Sequence, residues 1–397
     1  MSEIRPFAAL RFARDPEPRL APPWDVIDDE ERVRLGKEPE NIVHLTLPPG
    51  PLGERDYAQA RHTLAHWLES GVLVRDPEPR LYLMRERTPD GRERRGMLAL
   101  LKLADYDERV VLPHERTLPG ARLDRMRLTR EVRANLEPLF FLYEDREGRL
   151  DAPLQAAPGE ALAACTGPDG TRLELRGVSS PELLARVQAF LADRPVVIAD
   201  GHHRYDTMLR YRDEQREAGA ASGEAPCDLV LAYLVNAFDP GSEIRAIHRL
   251  LANAPADLET PLRAAGFQLH ERPAAVSPAD LLQALARRRE KAHAFAFVSA
   301  RSVWIAERPR GEALDVEVLH DELIPALGDT PHFDAEADRV VAQVRSGAAP
   351  LAALMNPLSA EDLFRVVQAG GLLPQKSTYF APKIPSGLVL RDFQPST

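Results

Sequence analysis

The stretch from Val196 to Tyr205 constrains the fold most strongly, because it passes from a strand pattern to a helix pattern within a few residues. Residues 196–199 are three β-branched residues followed by an alanine, which is typical of a short buried strand. Asp200 and Gly201 predict a turn, and residues 203–211 have the pattern of a helix. A strand–turn–helix of this kind predicts an α+β or mixed α/β fold.

The same turn predicts an anion-binding site. Gly201 has no Cβ, so its backbone can adopt an unusual angle and lie close to a ligand. The first amide groups of the following helix stand at the positive end of the helix dipole. The imidazoles of His202 and His203 and the guanidinium of Arg204 add donors, and phosphate is the anion that such a site favours. The alternative is a turn whose histidines only cap the helix.

A second polar cluster, at residues 113–117, follows the apolar pair Val111 and Leu112. The adjacent imidazole of His114 and carboxylate of Glu115 can accept a proton or hold a divalent cation. An exposed loop with an incidental His–Glu pair is the alternative. Downstream, the pattern of residues 123–136 predicts a helix that carries four arginines. These arginines either form a solvent-exposed face with salt bridges to neighbouring acids, or bring one or two positive charges to the phosphate tail of a ligand. These arginines are Arg125, Arg127, Arg130 and Arg133.

A third candidate lies near the end of the chain, where Lys376 is followed by Ser377 and Thr378. These residue types suit contacts to phosphate, but the glycine loop of a Walker A motif is missing. A segment that only packs back on the core is the alternative. Asp200, His202, His203 and Asp206 could also be a metal cluster. Neighbouring side chains on a helix point about 100° apart, however, so phosphate is favoured over zinc.

Bulk properties limit the classes of partner. The chain has 397 residues and a net charge of −10, which argues against a broad nucleic-acid surface. The two cysteines, Cys165 and Cys227, form no paired motif, and we expect a reduced, cytoplasmic protein. The sequence shows neither a signal-peptide pattern nor an apolar run of membrane-spanning length, so no membrane partner is expected. The length allows two or three domains. We expect parts at residues 1–150, with the cluster at 113–117, at 151–250, with the turn at 200–205, and at 251–397, with the segment at 374–380.

Local patterns predict further elements. Residues 81–84 and 97–103 flank a Pro-Asp-Gly turn and predict a β-hairpin, while 140–143 and 229–238 predict strands. Helices are expected near 57–70 and 181–192, the first of them ending at Gly71. Residues 151–170 are rich in Ala, Pro and Gly and predict a surface connection. Helices are expected to alternate in 251–330 with strands at 295–298 and 303–305.

Four stretches of the sequence match, in order, the sequence boxes of a known family. They are Pro-Pro-Trp-Asp-Val-Ile at 22–27, Pro-His-Glu-Arg-Thr at 113–117, Asp-Gly-His-His-Arg-Tyr at 200–205 and Pro-Gln-Lys-Ser-Thr-Tyr-Phe at 374–380. From about residue 5 to residue 391, the chain resembles domain-of-unknown-function family 1015 (DUF1015). That family resembles the ParB/sulfiredoxin-like fold, a nucleotide-binding core in which a similar turn holds phosphates. Within this fold it is most similar to the free-serine kinases, which phosphorylate L-serine with ADP or ATP and magnesium.

The resemblance implies roles for particular residues. Asp200 to Arg204 would hold phosphate, and Asp200 would be placed for metal or substrate. His202 stands where sulfiredoxin carries its cysteine, which argues against sulfinate reduction. A basic helix-turn-helix like that of ParB is not found in this acidic sequence.

The leading hypothesis is therefore a small-molecule kinase that uses ADP or ATP with Mg²⁺, with L-serine as the preferred acceptor. Gly201, His202, His203 and Arg204 would cradle phosphate, and Asp200 would hold magnesium. Glu115 would be the catalytic base, oriented by His114, and Lys376 would close on the nucleotide.

Two alternatives stay open. One is a nucleotide-binding switch or adaptor without turnover. The other is a metal-dependent phosphatase that uses His114, Glu115, Asp200 and His202. The sequence does not determine the oligomeric state.

Overall fold

A computed structural model describes residues 2–116, 119–219, 225–253, 255, 257–327 and 331–393, and it does not describe the side chains of 119–122. The chain divides into two compact units. Unit 1 comprises Met1–Pro113, Thr117–Glu243 and Pro382–Thr397. Unit 2 comprises His114–Arg116 and Ile244–Ala381. The chain thus enters unit 2 twice and returns to unit 1 for its last residues.

Strands account for much of both units. In chain order they are β1 (Ile4–Arg5), β2 (Leu10–Phe12), β3 (Leu73–Arg75), β4 (Leu81–Arg87), β5 (Glu93–Lys102), β6 (Val111–Leu112), β7 (Ala134–Asn135), β8 (Leu139–Tyr143), β9 (Glu160–Thr166), β10 (Arg172–Val178), β11 (Val196–Asp200), β12 (Leu229–Asn236), β13 (Glu243–Arg245), β14 (His248–Leu251), β15 (Gln268–Arg272), β16 (Ala292–Ser299), β17 (Val303–Pro309), β18 (Pro331–Asp334), β19 (Leu351–Met355), β20 (Tyr379–Ala381) and β21 (Arg391–Asp392).

Helices connect the strands. In chain order they are α1 (Asp29–Leu35), α2 (Val43–Thr46), α3 (Tyr57–Glu69), α4 (Pro119–Val132), α5 (Asp151–Ala156), α6 (Pro181–Leu191), α7 (His202–Glu217), α8 (Glu259–Ala264), α9 (Pro278–Ala286), α10 (Asp315–Glu317), α11 (Ile324–Leu327), α12 (Ala337–Arg345) and α13 (Ala360–Gln368). Short 3₁₀ turns occur as well, one of them at Trp24–Val26, and Val318–Leu323 forms a π-helical turn.

Unit 1 is built on a large mixed sheet, which among the described residues has nine strands. The strand order is β6-β11-β8-β12-β5-β4-β10-β9, and β1 pairs with β5. β11 runs parallel to β6 and β12 runs parallel to β8, whereas the other pairs are antiparallel. The predicted hairpin is confirmed as β4 and β5, with Gly91 in the turn at a φ of 86°.

The apolar patterns of the strands explain where the core of unit 1 lies. All eight residues of β12 are buried, which confirms the prediction of a central strand there. Helices α6 and α7 pack against the same core through Val187, Leu191, Tyr205 and Met208. The predicted helices at 57–70 and 181–192 and the strand at 140–143 are confirmed as α3, α6 and β8. The α7 helix follows β11 after the single residue Gly201, so the predicted strand–turn–helix is also confirmed.

Two predictions in unit 1 are wrong. Residues 151–170 are not merely a surface connection, because they contain α5 and the edge strand β9. No residue of β9 is buried, and the strand pairs with β10, so it is held by a neighbouring strand and not by its own apolar pattern. The arginine-bearing helix ends at Val132 and not at residue 136, because Arg133 adopts a left-handed φ of 47°.

Unit 2 contains a separate antiparallel sheet, with six strands among the described residues, in the order β15-β17-β16-β19-β14-β18. The predicted strands around 295–298 and 303–305 are confirmed as β16 and β17, and α8 and α9 are helices of the same region. Helices α9 and α12 pack against the sheet through Leu281, Leu285, Val340 and Val344.

The architecture is a mixed α/β fold with a large mixed sheet, which confirms the predicted class in its general form. The division at residues 150 and 250 stays a prediction. In the described part of the chain, no helix has both the length and the apolar character needed to span a lipid bilayer.

Candidate functional site

The turn between β11 and α7 depends on a glycine. Gly201 has a φ of 96°, in the left-handed region, and precedes the first residue of α7. A Cβ built on Gly201 would lie 3.1 Å from Nη2 of Arg204, which is tighter than ordinary van der Waals contact. The turn therefore lets the guanidinium lie directly over the backbone at the positive end of a sixteen-residue helix.

Asp200, the last residue of β11, accepts hydrogen bonds from two cations. Lys383 Nζ lies 2.7 Å from its Oδ1, and Arg204 Nη2 lies 3.3 Å from its Oδ2. Burial alone would raise the pKa of this carboxyl, but the positive charges of Lys383 and Arg204 outweigh that effect and hold the pKa at about 2. Asp200 is therefore a fixed negative charge at every physiological pH.

Arg204 braces the turn from the other side. Its Nη1 donates to the carbonyl of Pro138 at 2.9 Å and lies 3.5 Å from Oε2 of Glu137. The guanidinium thus joins the end of β11 to the segment before β8. His202 is buried, and the carbonyl of His203 accepts a hydrogen bond from the Thr207 hydroxyl.

Asp25 adds a second carboxyl to this group. It lies in the 3₁₀ turn Trp24–Val26, and the residue as a whole is exposed. Desolvation of the carboxyl by the surrounding protein raises the pKa of Asp25 most. The negative charges of Asp200 and Glu137 raise this pKa further, and the positive charges of Lys383 and Arg204 lower it. Two neighbouring carboxyls therefore have pKa values moved in opposite directions, an arrangement that often separates a proton-transfer group from a fixed charge.

Glu137 holds the Asp25 turn in place. Its Oε1 accepts hydrogen bonds from the backbone N–H of Trp24, at 3.1 Å, and from the hydroxyl of Ser386. The indole of Trp24 lies under the guanidinium of Arg125, 4.2 Å from Cζ to the ring centroid. One buried carboxylate thus fixes both the residue before Asp25 and the segment that carries Lys383.

The returning C-terminal segment delivers Lys383. The carbonyl of Pro382 accepts a hydrogen bond from Arg94 Nη2 at 2.8 Å. Three residues after Lys383, the backbone N–H of Ser386 donates to the carbonyl of Ala21 at 2.8 Å. Lys383 is therefore held from both sides by contacts within unit 1.

A small cavity of about 40 Å³ adjoins the cluster. Arg204, Glu137, Thr207 and Asn135 contribute polar atoms to its lining. Its volume suits a few water molecules and not a nucleotide. It can supply water to the base of the turn.

The predicted residues of the second and fourth boxes, at 113–117 and 374–380, come together in unit 2. His114 is buried, and its Nε2 is 2.8 Å from the Thr378 hydroxyl. Glu115 Oε2 accepts a hydrogen bond from the backbone N–H of Lys376 at 3.2 Å, and Lys376 has a left-handed φ of 57°. His114, Glu115 and Lys376 are thus neighbours, whereas Asp200 to Arg204 belong to unit 1. Thr117 lies outside the described residues.

Magnesium fits this arrangement poorly. Both oxygens of Asp200 already accept from cations, so Asp200 would have to leave Lys383 or Arg204 before it could bind a metal. Within the described ranges, no three His, Cys, Asp or Glu side chains are grouped so that they could hold a metal ion.

The sequence reasoning gave no role to Asp25, Glu137 or Lys383. Asp25 stands in the Pro-Pro-Trp-Asp box, whose residues carried the family resemblance, and that box was the available signal. Lys383 is 183 residues from Asp200, and no local pattern connects the two.

Comparison with known proteins identifies a family and several loosely similar structures. A family model described as "Protein of unknown function (DUF1015)" matches residues 4–325. No curated protein matches the chain.

Among solved structures, a conserved hypothetical protein from Pyrococcus furiosus is 14% identical, with a TM-score of 0.37, over 71% of this chain and 92% of that one. A free serine kinase in complex with AMP is 14% identical, with a TM-score of 0.38, over 72% and 88% of the two chains. SbnI from Staphylococcus aureus is 12% identical, with a TM-score of 0.38, over 74% and 87%. TM-scores of this size describe loose overlap of the backbones and carry no information about the site.

Proposed function

We propose that this chain, which belongs to the DUF1015 family of proteins of unknown function, is a small-molecule phosphotransferase whose chemistry is centred on Asp25, Asp200 and Lys383. One observation carries the proposal: two neighbouring carboxyls with oppositely shifted pKa values stand beside a lysine at the start of a long helix. Phosphoryl transfer needs little more than a base, positive charge and positioning.

Asp25 would act as the general base. A carboxyl whose pKa is raised above that of an ordinary aspartate is the stronger base of the two. It would take the proton from the acceptor hydroxyl as that oxygen forms a bond to the terminal phosphorus, and the bond from phosphorus to the leaving nucleotide oxygen would break. Because Asp25 reaches solvent, an acceptor molecule can approach it.

Lys383 and the start of α7 would stabilise the negative charge of the transferred phosphoryl group. Gly201 leaves room for the guanidinium of Arg204 over the turn, and His202 and His203 belong to the first turn of the helix. Arg204 would mainly hold the turn in shape, since it contacts Asp200, Glu137 and Pro138. Asp200 would keep Lys383 in place.

The resemblance of the DUF1015 family to the free-serine kinases supports ADP or ATP as donor, L-serine as acceptor, Mg²⁺ as the accompanying ion and a ParB/sulfiredoxin-like core. Glu115 with His114 remains a second proposal for the base, and Lys376 for a nucleotide contact.

The test is formation of O-phosphoserine, measured by mass spectrometry, from L-serine and either ADP or ATP with magnesium. Asp25→Asn and Glu115→Gln are compared, each with a separate measurement of nucleotide affinity. We expect Asp25→Asn to retain nucleotide affinity and to lose about 10²–10⁴-fold in rate, the usual contribution of a general base.

The outcomes separate the hypotheses. If Glu115→Gln abolishes product and Asp25→Asn does not, the base is in the second box. If the wild-type protein binds nucleotide and forms no phosphorylated product from serine or other small alcohols, the nucleotide-binding switch replaces the kinase.

A further inference from the structure

Unit 1 contains a second, larger cleft that the proposed chemistry does not use. Its volume is about 410 Å³, which is in the range of sites for small organic ligands. It lies on the part of the sheet formed by β4, β5 and β10, next to α5. β5 is three strands away from β11, or about 14 Å at ordinary strand spacing. The cleft is therefore distinct from the Asp200 cluster.

Charged side chains around the cleft are mainly cationic. Three guanidiniums line it, those of Arg85, Arg95 and Arg176, against the single carboxylate of Glu174. Glu93 pairs with Arg85 and Arg95 but is not part of the lining. An anion would therefore meet more positive than negative charge on the walls.

Two acidic residues near the cleft, Asp151 and Asp239, add no negative charge to its lining. Burial raises the pKa values of Asp151 and Asp239, and the charge of Arg95 opposes that effect. Neither carboxyl lines the cleft.

Arg85 has donor capacity that the protein leaves unused. Its Nε is buried and has no hydrogen-bond partner among the residues that the structure describes. Its Nη1 is 3.5 Å from Oε2 of Glu174, a distance at which the interaction is weak. The enclosed Nε is out of reach of a ligand, so an acceptor in the cleft would be bound by the weakly engaged Nη1.

The remaining lining is apolar. Leu83 from β4 and Leu154 from α5 provide hydrocarbon surface beside the guanidiniums. The volume greatly exceeds the needs of an inorganic ion. The walls of the cleft thus combine cationic groups with apolar surface.

We propose that this cleft binds a small organic anion, one carboxylate or phosphate group on a short apolar chain. The anionic group would lie between Arg85, Arg95 and Arg176, and the apolar chain would lie on Leu83 and Leu154. Binding here would be independent of phosphoryl transfer.

Isothermal titration calorimetry on the full chain tests the proposal with four probes: hexanoate, hexyl phosphate, inorganic phosphate and hexylammonium. We expect saturable binding of hexanoate or hexyl phosphate, weaker binding of inorganic phosphate and none of hexylammonium. The ratio between the first two probes identifies the preferred anionic group. If both bind no better than hexylammonium, the proposal is overturned.

Two matched variants locate the binding. Arg95→Gln and Arg87→Gln each remove a half-exposed arginine that pairs with Glu93, but only Arg95 lines the cleft. Loss of a charged hydrogen bond predicts about tenfold weaker binding or more for Arg95→Gln, and unchanged binding for Arg87→Gln. Equal effects of the two variants would place the probes elsewhere and refute the site.

Discussion

The ion pairs of Asp200 make a quantitative prediction about stability at acid pH. The pKa of this carboxyl is about 2 in the folded chain, against 3.8 when it is exposed, and the difference corresponds to about 2.4 kcal/mol of stability at neutral pH. Because the folded pKa is the lower one, this stability is present above pH 3.8 and is lost as the pH falls towards 2. Between pH 5 and pH 3, about 1 kcal/mol should disappear.

The assay compares Asp200→Asn with its parent by urea unfolding at pH 5 and pH 3. Both proteins carry Trp304→Phe, so that fluorescence comes from Trp24 and Trp67, which lie in unit 1. Both also carry Asp25→Asn, because the charges of Asp25 and Asp200 influence each other.

The stability advantage of the parent should shrink by about 1 kcal/mol at the lower pH. An advantage that is the same at both values, or that grows in acid, would show that Lys383 and Arg204 do not hold Asp200 in its ionised form.

Other consequences can be measured on single variants. Gly201→Ala should destabilise unit 1 by about 1–2 kcal/mol in urea unfolding, because its left-handed φ and the contact with Arg204 both oppose a Cβ; unchanged stability would contradict this. Arg94→Met should cost about 3–5 kcal/mol by the same assay, because it leaves Glu86 buried without its bidentate partner and removes the donor to Pro382. A loss below 1 kcal/mol would show that this ion pair is dispensable.

Local signals were sufficient for much of the fold. The hairpin of β4 and β5 follows from a Pro-Asp-Gly turn between two apolar runs, and α7 follows from a turn glycine before a helix pattern. β9 was missed because Glu160–Thr166 lacks a buried alternating face and depends on its pairing with β10. Such pairing is a tertiary property that a single segment does not encode.

The candidate site likewise has one part that the local sequence predicts and one part that it does not. Asp200 and Arg204 lie within one helical turn of each other, so the sequence could place them together. Lys383 meets Asp200 because the chain returns to unit 1 after unit 2. Asp25 comes from a turn in the first segment of unit 1, far from Asp200 in sequence. The strand order and the path of the C-terminal segment are tertiary features, and the local periodicity of the sequence does not predict them.

The pH dependence of phosphoserine formation tests the central claim most directly. With Asp25 as base, kcat/KM should rise with pH, with a midpoint above the 3.8 of an ordinary aspartate. Asp200→Asn should move this midpoint down, because the negative charge of Asp200 raises the pKa of Asp25, and Lys383→Met should move it up. A midpoint that neither substitution shifts, or that both shift in the same direction, would contradict the assignment of Asp25 as the base.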